Sequence, residues 1–403
     1  MAQECPAWLD ETFLASALQG ENGSQVTIVK FSVKPAVAAG DNYMSHMYRV
    51  RVEYTVAESQ LGLQTTSLIV KIPISKGAIM DVLDSSDFYA KEPRIYNELL
   101  PKFRKLVGCE FGPTAFNCPI ENGMILQDLN AVNYIMCDKM KQLDFSHCKL
   151  VYKTLAKFHA SSVACYHNDP ELIKGLGEDK MRSSKSEMFH SFIKSAIKHI
   201  KKYLDEAEGC KYAKKFVLNR ADHVSESITN MLQPKMNGLN VLNHGDLWIN
   251  NLLFKYSNSK EVEDVKFIDF QNTRWGSMVP DLIYFLWTSA NEEVREHKQN
   301  ELYSYYRESL NSNLEQLGCP ERLSAEELED DLRAASDFVL VIISGTVPFV
   351  LSRPEDTVNM ENLSSDEIKS FDMLEHLFNS KSFQETLPKM IKQFENWIAP
   401  NSG

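Results

Sequence analysis

Residues 241–270 read VLNHGDLWINNLLFKYSNSKEVEDVKFIDF, from Val241 to Phe270. A short apolar lead-in runs into His244-Gly245-Asp246, and Asn251 follows five positions later. A second apolar run, Val265 to Ile268, ends on Asp269. The pattern predicts a loop between two short hairpin strands. It carries an acid at its start, an amide in its middle and another acid where the second strand ends, so Asp246, Asn251 and Asp269 converge on one point. The plainer reading is a polar hairpin whose Asn and Asp only shape turns. A lone Asp-x4-Asn pair favours that reading. The His-Gly before it, the buried-type strands on both sides and the terminal Asp favour a built site.

Phosphoryl transfer needs this kit. One carboxylate orients the attacking hydroxyl and accepts its proton; an amide and a second carboxylate hold Mg²⁺ on nucleotide phosphates. The order Asp-x4-Asn, then Asp after an apolar strand, is that of kinase-type catalytic loops.

Working outward, the region before the loop is rich in strand patterns. Gln25 to Val33 is β-rich, Tyr48 to Val56 alternates apolar and polar, and Ser67 to Pro73 is a third strand stopped by its proline. A helix is predicted over residues 6–20. Lys71 sits inside Leu68-Ile-Val-Lys-Ile and must either snorkel to an edge or meet an anion. The anion candidates are nucleotide phosphates and a helix carboxylate, Glu92, with Glu98 as fallback. Pro93 makes that helix restart or kink. Gly40-Asp41-Asn42-Tyr-Met-Ser45 lies between the first two strands, as a plain hairpin turn or as a flap whose N–H groups meet phosphates.

Gly123 to Asn130 reads as a strand leading into a helical second half. There, His159 near the end of an amphipathic helix reads as a core histidine. Asp281, opening an apolar helix, reads as a cap that also braces the loop. Phe338 to Leu351 reads as a buried helix with a break.

Composition bounds the rest. At 403 residues the chain is long enough for two lobes, divided here as 1–128 and 129–403. Net charge is −12, which argues against nucleic acid and anionic membrane surfaces as partners. It hints at neutral or cationic small molecules. The N-terminal residues do not read as a secretory signal, and no apolar run approaches a membrane span. The eight cysteines show no Cys-x-x-Cys pair and read as reduced thiols. A cytoplasmic monomer is the expectation.

The combination of motifs resembles the ecdysteroid kinase-like family of arthropods, related to aminoglycoside phosphotransferases and choline kinases. The matching residues are His244-Gly-Asp-Leu-Trp-Ile-Asn-Asn251, Phe267-Ile-Asp-Phe-Gln271, Gly276 and Pro280-Asp-Leu-Ile-Tyr-Phe-Leu. Further matches are Gly40-Asp-Asn-Tyr-x-Ser, Lys71 in its strand, Glu92-x3-Tyr96-x3-Leu-Pro101 and Leu155-Ala-Lys-Phe-His-Ala. The resemblance implies an α+β, protein kinase-like bilobal fold, with a small antiparallel sheet in the N-terminal lobe and a larger helical C-terminal lobe. It implies ATP- and Mg²⁺-dependent phosphorylation of a hydroxyl on an ecdysteroid or other small molecule. By position, Asp246 would be the base, and Asn251 and Asp269 the Mg²⁺ ligands. Lys71 would hold the α/β phosphates with Glu92 as its partner, and residues 40–45 would form the flap. Residues 127–129, from Gln127 to Leu129, would offer backbone hydrogen bonds to adenine. Asp269-Phe-Gln lacks the glycine of Asp-Phe-Gly, which disfavours a flip there.

Two other readings compete with this one. A kinase-shaped protein that binds a hydrophobic molecule without catalysis is suggested by Pro93 and by the aromatic-rich second lobe. A protein kinase is disfavoured, because only residues 270–280 separate Asp269 from Asp281. Acceptor contacts are expected from the 180–230 region, residues 275–290 and the helix from Phe338.

Overall fold

The structure is a computed structural model that describes residues 6–19, 23–36, 45–57, 59–74, 85–183, 185–353, 356, 366 and 370–399. The predicted flap residues Gly40, Asp41 and Asn42 lie outside the described residues; Ser45 is the first residue of a strand.

The N-terminal lobe is built on β1 (Val26–Pro35), β2 (Ser45–Val56), β3 (Gln64–Pro73), β4 (Ala115–Phe116) and β5 (Met124–Gln127). They form one antiparallel sheet in the order β1-β2-β3-β5-β4. Alternation decides the two faces. Val50, Val52, Leu68, Val70 and Ile125 are fully buried against Phe13, Leu14 and Ala17 of the helix Glu11–Leu18. Each such side chain contributes roughly 1.5–3 kcal/mol by leaving water. The helix is shorter than expected, because Asp10 caps it by accepting the Phe13 N–H at 2.8 Å, leaving residues 6–9 outside. The intervening positions Ile69, Lys71, Met124 and Leu126 take the opposite face, and three of them pack into the larger core. Lys71 therefore points where the lobes meet.

The helix Ser85–Arg94 contains Pro93 and continues through a π-turn, Ile95–Leu99, into the helix Leu100–Val107. Prolines and π-turns are the usual sites of helix kinks, and here they adjoin. The segment from Ile95 to Phe111 packs into the larger core although it precedes the crossover at residue 128. At that crossover the buried Asp128 accepts from Arg49 Nε at 2.9 Å and Ser67 Oγ at 2.7 Å.

The second lobe is helical around Phe145–Asn168, which packs along Gln299–Gln316. Its strands are few: β6 (Ile135–Met136), β7 (Val241–Asn243), β8 (Leu252–Tyr256), β9 (Val262–Phe267) and β10 (Arg274–Gly276). The antiparallel hairpin is β8–β9, whereas β7 pairs with β10. This corrects the expected hairpin: Asp246 and Asn251 precede β8 instead of lying in a hairpin turn. The break expected after Phe338 is a π-turn, Ile342–Thr346, inside a buried helical segment. Among the described residues, no single helix is long and apolar enough to cross a membrane.

Candidate active site

Gly245 sets the path of the loop. It has φ +80°, and a Cβ there would come within 1.8 Å of the Asn272 carbonyl oxygen. The left-handed conformation and the close approach both require glycine. His244 pins the same turn from the other side. Its Nε2 lies 3.0 Å from the Ile268 carbonyl, and its Nδ1 accepts the Asp246 N–H at 3.3 Å. A carbonyl demands a donor and an N–H demands an acceptor, so the tautomer carries its proton on Nε2.

Asp281 braces the loop from beneath. Its two oxygens accept the N–H groups of His244 at 2.7 Å and Gly245 at 2.9 Å. His159 Nε2 lies 3.2 Å away on the far side and is itself 2.6 Å from the Tyr306 hydroxyl through Nδ1. His159 is thus the core histidine expected. Asp281 makes no capping bond to its own helix, Val279–Ser289, so the capping half of the expectation fails: its oxygens are spent on the loop. Burial works against its charge, but His159, His244 and the loop amides together hold its pKa below the usual aspartate range. Asp281→Asn should cost about 1–3 kcal/mol, because an amide presents a donor to one of two buried N–H groups. A lowered melting temperature, larger than that of a surface Asp→Asn control, is the expected observation.

The three residues singled out by the sequence come together. Asn251 donates from Nδ2 to the Asp246 carbonyl at 2.8 Å and to its carboxylate at 3.2 Å. The Ile268 N–H bonds the Asn251 carbonyl at 3.0 Å, which sets Asp269 beside Asn251. Asp269 adopts φ 66°, ψ 61°, a left-handed conformation that aspartate tolerates better than most residues. Across the cleft, Lys71 Nζ sits 2.7 Å from Glu92 Oε2 and 2.7 Å from Asp269 Oδ1. Pro93 does not prevent the pair, and the fallback Glu98 instead meets Arg94 at the surface. Burial disfavours the Lys71 charge, but the Asp269 and Glu92 carboxylates outweigh it and hold the ammonium above the ordinary lysine range. Glu92 is pushed upward by burial and by Asp269, against the pull of Lys71. One ammonium between two carboxylates leaves negative charge in the cleft.

That excess suits a hard cation, and so do the free donor atoms. Asn251 spends its amide N–H on Asp246 and accepts no bond at Oδ1 among the described residues. Among the described residues, the second Asp269 oxygen has only Gln271 Nε2, at 3.4 Å. Carboxylate and amide oxygens are the Mg²⁺ donor set. At the crossover, the Gln127 N–H is taken by Thr114 O and the Asp128 N–H by Ser67 O; of the three amides only that of Leu129 is not drawn into these bonds.

Residues not singled out by the sequence complete the site. Tyr284 donates its hydroxyl to Asp246 Oδ1 at 2.8 Å. Its only sequence signal is its place one turn after Asp281 on the same helix face. Arg182 Nη2 donates to the Gly245 carbonyl at 3.2 Å, and its Nη1 pairs with Asp179 at 3.0 Å. Burial and the neighbouring Asp269 raise the Asp246 pKa; Arg182 and Tyr284 moderate the rise. Lys91, next to Glu92, donates to the carbonyls of Glu178 and Thr273, tying that helix to the loop that carries Arg182. Burial lowers its pKa to about 8.

Gly245, Tyr284 and Arg182 also line a cavity of about 300 Å³, walled by Phe189, Phe192 and Phe338. Arg182, Phe189 and Phe192, Tyr284, and Phe338 fall in the three regions expected to contact the acceptor, whereas Gly245 and Arg274 lie outside them. The cavity also carries two arginines, Arg182 and Arg274, beside Asp281.

Among solved structures, the chain is similar to a choline kinase from Cryptosporidium parvum, at 15% identity over 98% of this chain and 96% of that one, TM-score 0.42. It is similar to an ethanolamine kinase from Plasmodium vivax, at 11% identity over 90% and 82%, TM-score 0.41. A putative aminoglycoside phosphotransferase from Ralstonia eutropha gives 11% identity over 92% and 93%, TM-score 0.44. No curated protein matches the sequence. The model of the ecdysteroid kinase-like family matches residues 39–319, the span that holds Lys71, Glu92, the loop of Asp246 and Asn251, Asp269 and Asp281, and the chain belongs to that family.

Proposed function

We propose that the protein is an ATP- and Mg²⁺-dependent kinase that phosphorylates a hydroxyl of an apolar small molecule, an ecdysteroid being the candidate that the family name suggests. One observation carries the reading. Asp246 and Asn251 stand beside the Lys71–Glu92–Asp269 cluster, and a largely apolar cavity is lined by Gly245, which precedes Asp246 in the chain, and by Tyr284, which hydrogen-bonds it.

Asp246 is the base. Tyr284 fixes one of its oxygens and Asn251 the other, so the carboxylate is held in one orientation as it accepts the acceptor's proton. Desolvation raises its basicity relative to a solvated aspartate. Asn251 Oδ1 and Asp269 would hold Mg²⁺, which when bound neutralises phosphate charge. Lys71, oriented by Glu92, binds the α/β phosphates, and Leu129 offers its amide to adenine. The apolar wall positions the acceptor and excludes water from the reacting oxygen. The non-catalytic reading loses its main support, since Pro93 leaves the Lys71–Glu92 pair intact.

The pH profile provides one check. Asp246 has to be ionised to accept a proton, and its pKa is raised, so the acid limb of kcat should lie above the ordinary aspartate range. Arg182 pulls that pKa down, so Arg182→Gln should move the limb to higher pH, with Arg182→Lys closer to wild type. A limb unmoved by either change contradicts the role of Asp246. The reaction itself is tested by mass spectrometry of products formed from Mg·ATP and a mixture of steroid, phenolic and aliphatic alcohols. A phosphorylated alcohol supports the proposal; its absence across the mixture with well-folded protein counts against it.

A further inference from the structure

Arg274 opens β10, paired with Asn243 of β7, and it lines the cavity beside Arg182. It is 5% exposed, yet its Nε and Nη2 are closed off from solvent and meet no acceptor. No carboxylate lies within ion-pair distance of it among the described residues. The two nearest acids are already engaged. Asp179 pairs with Arg182, and Asp281 spends its oxygens on His244, Gly245 and His159. A guanidinium does not escape burial by losing its proton. Burial draws the Arg274 pKa down only to about 10, so the charge persists at neutral pH. Buried charges are ordinarily paired, because an uncompensated one is strongly unfavourable.

Apart from Arg182, Asp281, Tyr284 and Thr346, the rest of the wall is apolar, including Phe189, Phe192 and Phe338. The cavity thus combines three features: apolar surface along its length, Gly245 and Tyr284 at the boundary nearest Asp246, which Tyr284 hydrogen-bonds, and a cation without a partner among the described residues. An amine would be repelled by Arg274. A neutral alcohol, an ecdysteroid included, would satisfy hydrogen bonds and leave the charge uncompensated, so Arg274 favours an acid over the candidate that the family name suggests. A carboxylate satisfies both, since it brings the negative charge and the acceptor atoms that the guanidinium lacks. We propose that the cavity takes an apolar hydroxylated carboxylic acid, with its carboxylate on Arg274 and its hydroxyl toward Asp246. Arg274 is then the residue that sets acceptor specificity. The phosphorylation of that acid rests on the kinase reading above; its binding does not.

The test uses the full chain and two probe pairs, 10-hydroxydecanoate and 3-(4-hydroxyphenyl)propionate, each beside its methyl ester. Calorimetry without nucleotide measures binding, and mass spectrometry with Mg·ATP measures transfer. Hydrogen bonds to a charged partner predict that an acid binds about tenfold or more tighter than its ester. Arg274→Leu should erase that preference, and Arg274→Lys should keep part of it. Removing an unpaired charge leaves the leucine variant foldable, which its melting temperature verifies; if it fails to fold, the reduced preference of the lysine variant carries the test. Esters that bind as well as the acids, binding of none of the probes, or a preference unchanged in both variants overturns the proposal. Acid binding that depends on Arg274 without phosphate transfer supports the carboxylate site and counts against the kinase reading.

Discussion

Asp246→Asn is expected to lower kcat by about 10³-fold, within the range attributed to a positioned general base. The change keeps the shape of the side chain. The amide oxygen still accepts from Tyr284, at the 2.8 Å position of Oδ1, and Asn251 loses its 3.2 Å bond to the other oxygen but keeps its 2.8 Å bond to the residue's carbonyl. The loop itself is held by Asp281 and His244, neither of which bonds the Asp246 carboxylate. Removing a carboxylate whose charge is disfavoured by burial should not unfold the protein. ATP binding should also persist, since Lys71, Glu92 and Asp269 are untouched. The informative pattern is therefore lost turnover with nucleotide affinity and melting temperature near wild type. Retained turnover removes the base.

Lys71→Met should have a different signature, because it damages stability and turnover together. Lys71 is the ammonium between Glu92 and Asp269, at 2.7 Å from each. Without it, Glu92 remains buried beside a like charge. Breaking a buried pair by removing one partner costs about 3–5 kcal/mol. The pH dependence has a definite sign. Glu92 already has a raised pKa in the folded protein, and losing Lys71 raises it further. A carboxyl that is raised on folding stabilises the protein below its unfolded pKa, and that contribution is lost as pH rises through the folded value. The deficit of Lys71→Met should therefore be small in acid, below the ordinary glutamate range, and grow toward neutral pH. Adding Glu92→Gln should restore much of the stability, since it removes the stranded charge, without restoring phosphate transfer. Recovery of both in the double variant contradicts the role of Lys71 on the phosphates.

Much of this site is written locally. β2 alternates strictly, so Val50 and Val52 face the core while Arg49 and Arg51 face away, and the antiparallel sheet follows. The spacing of Asp246, Asn251 and Asp269 likewise survives folding, because Ile268 bonds back to Asn251. The hairpin assignment failed for a physical reason. β7 is three residues long, too short for periodicity to say which strand it pairs with, and its partner β10 follows only after the β8–β9 hairpin is complete. Pro93 misled in the same way. It argues locally for a broken helix, and the adjoining π-turn absorbs the disturbance while Glu92 stays on the cleft side.

The cavity beside Gly245 and Tyr284 was the least legible part. Arg182, Arg274 and Tyr284 meet only through tertiary packing, and each looks ordinary in its own segment. The net charge of −12 gives no sign that one cavity holds two arginines beside Asp281 and aromatic rings. Whole-chain charge describes the outer surface and the long-range field; a pocket of about 300 Å³ is governed by the few side chains that line it.

The most direct test of the account follows labelled γ-phosphate from Mg·ATP onto hydroxylated small molecules, with wild-type protein and Asp246→Asn side by side. The account predicts a labelled small-molecule product from wild type and about 10³-fold less from the variant, with equal nucleotide binding in both. Equal transfer by the two proteins, or no transfer by well-folded wild type to any hydroxyl offered, contradicts it.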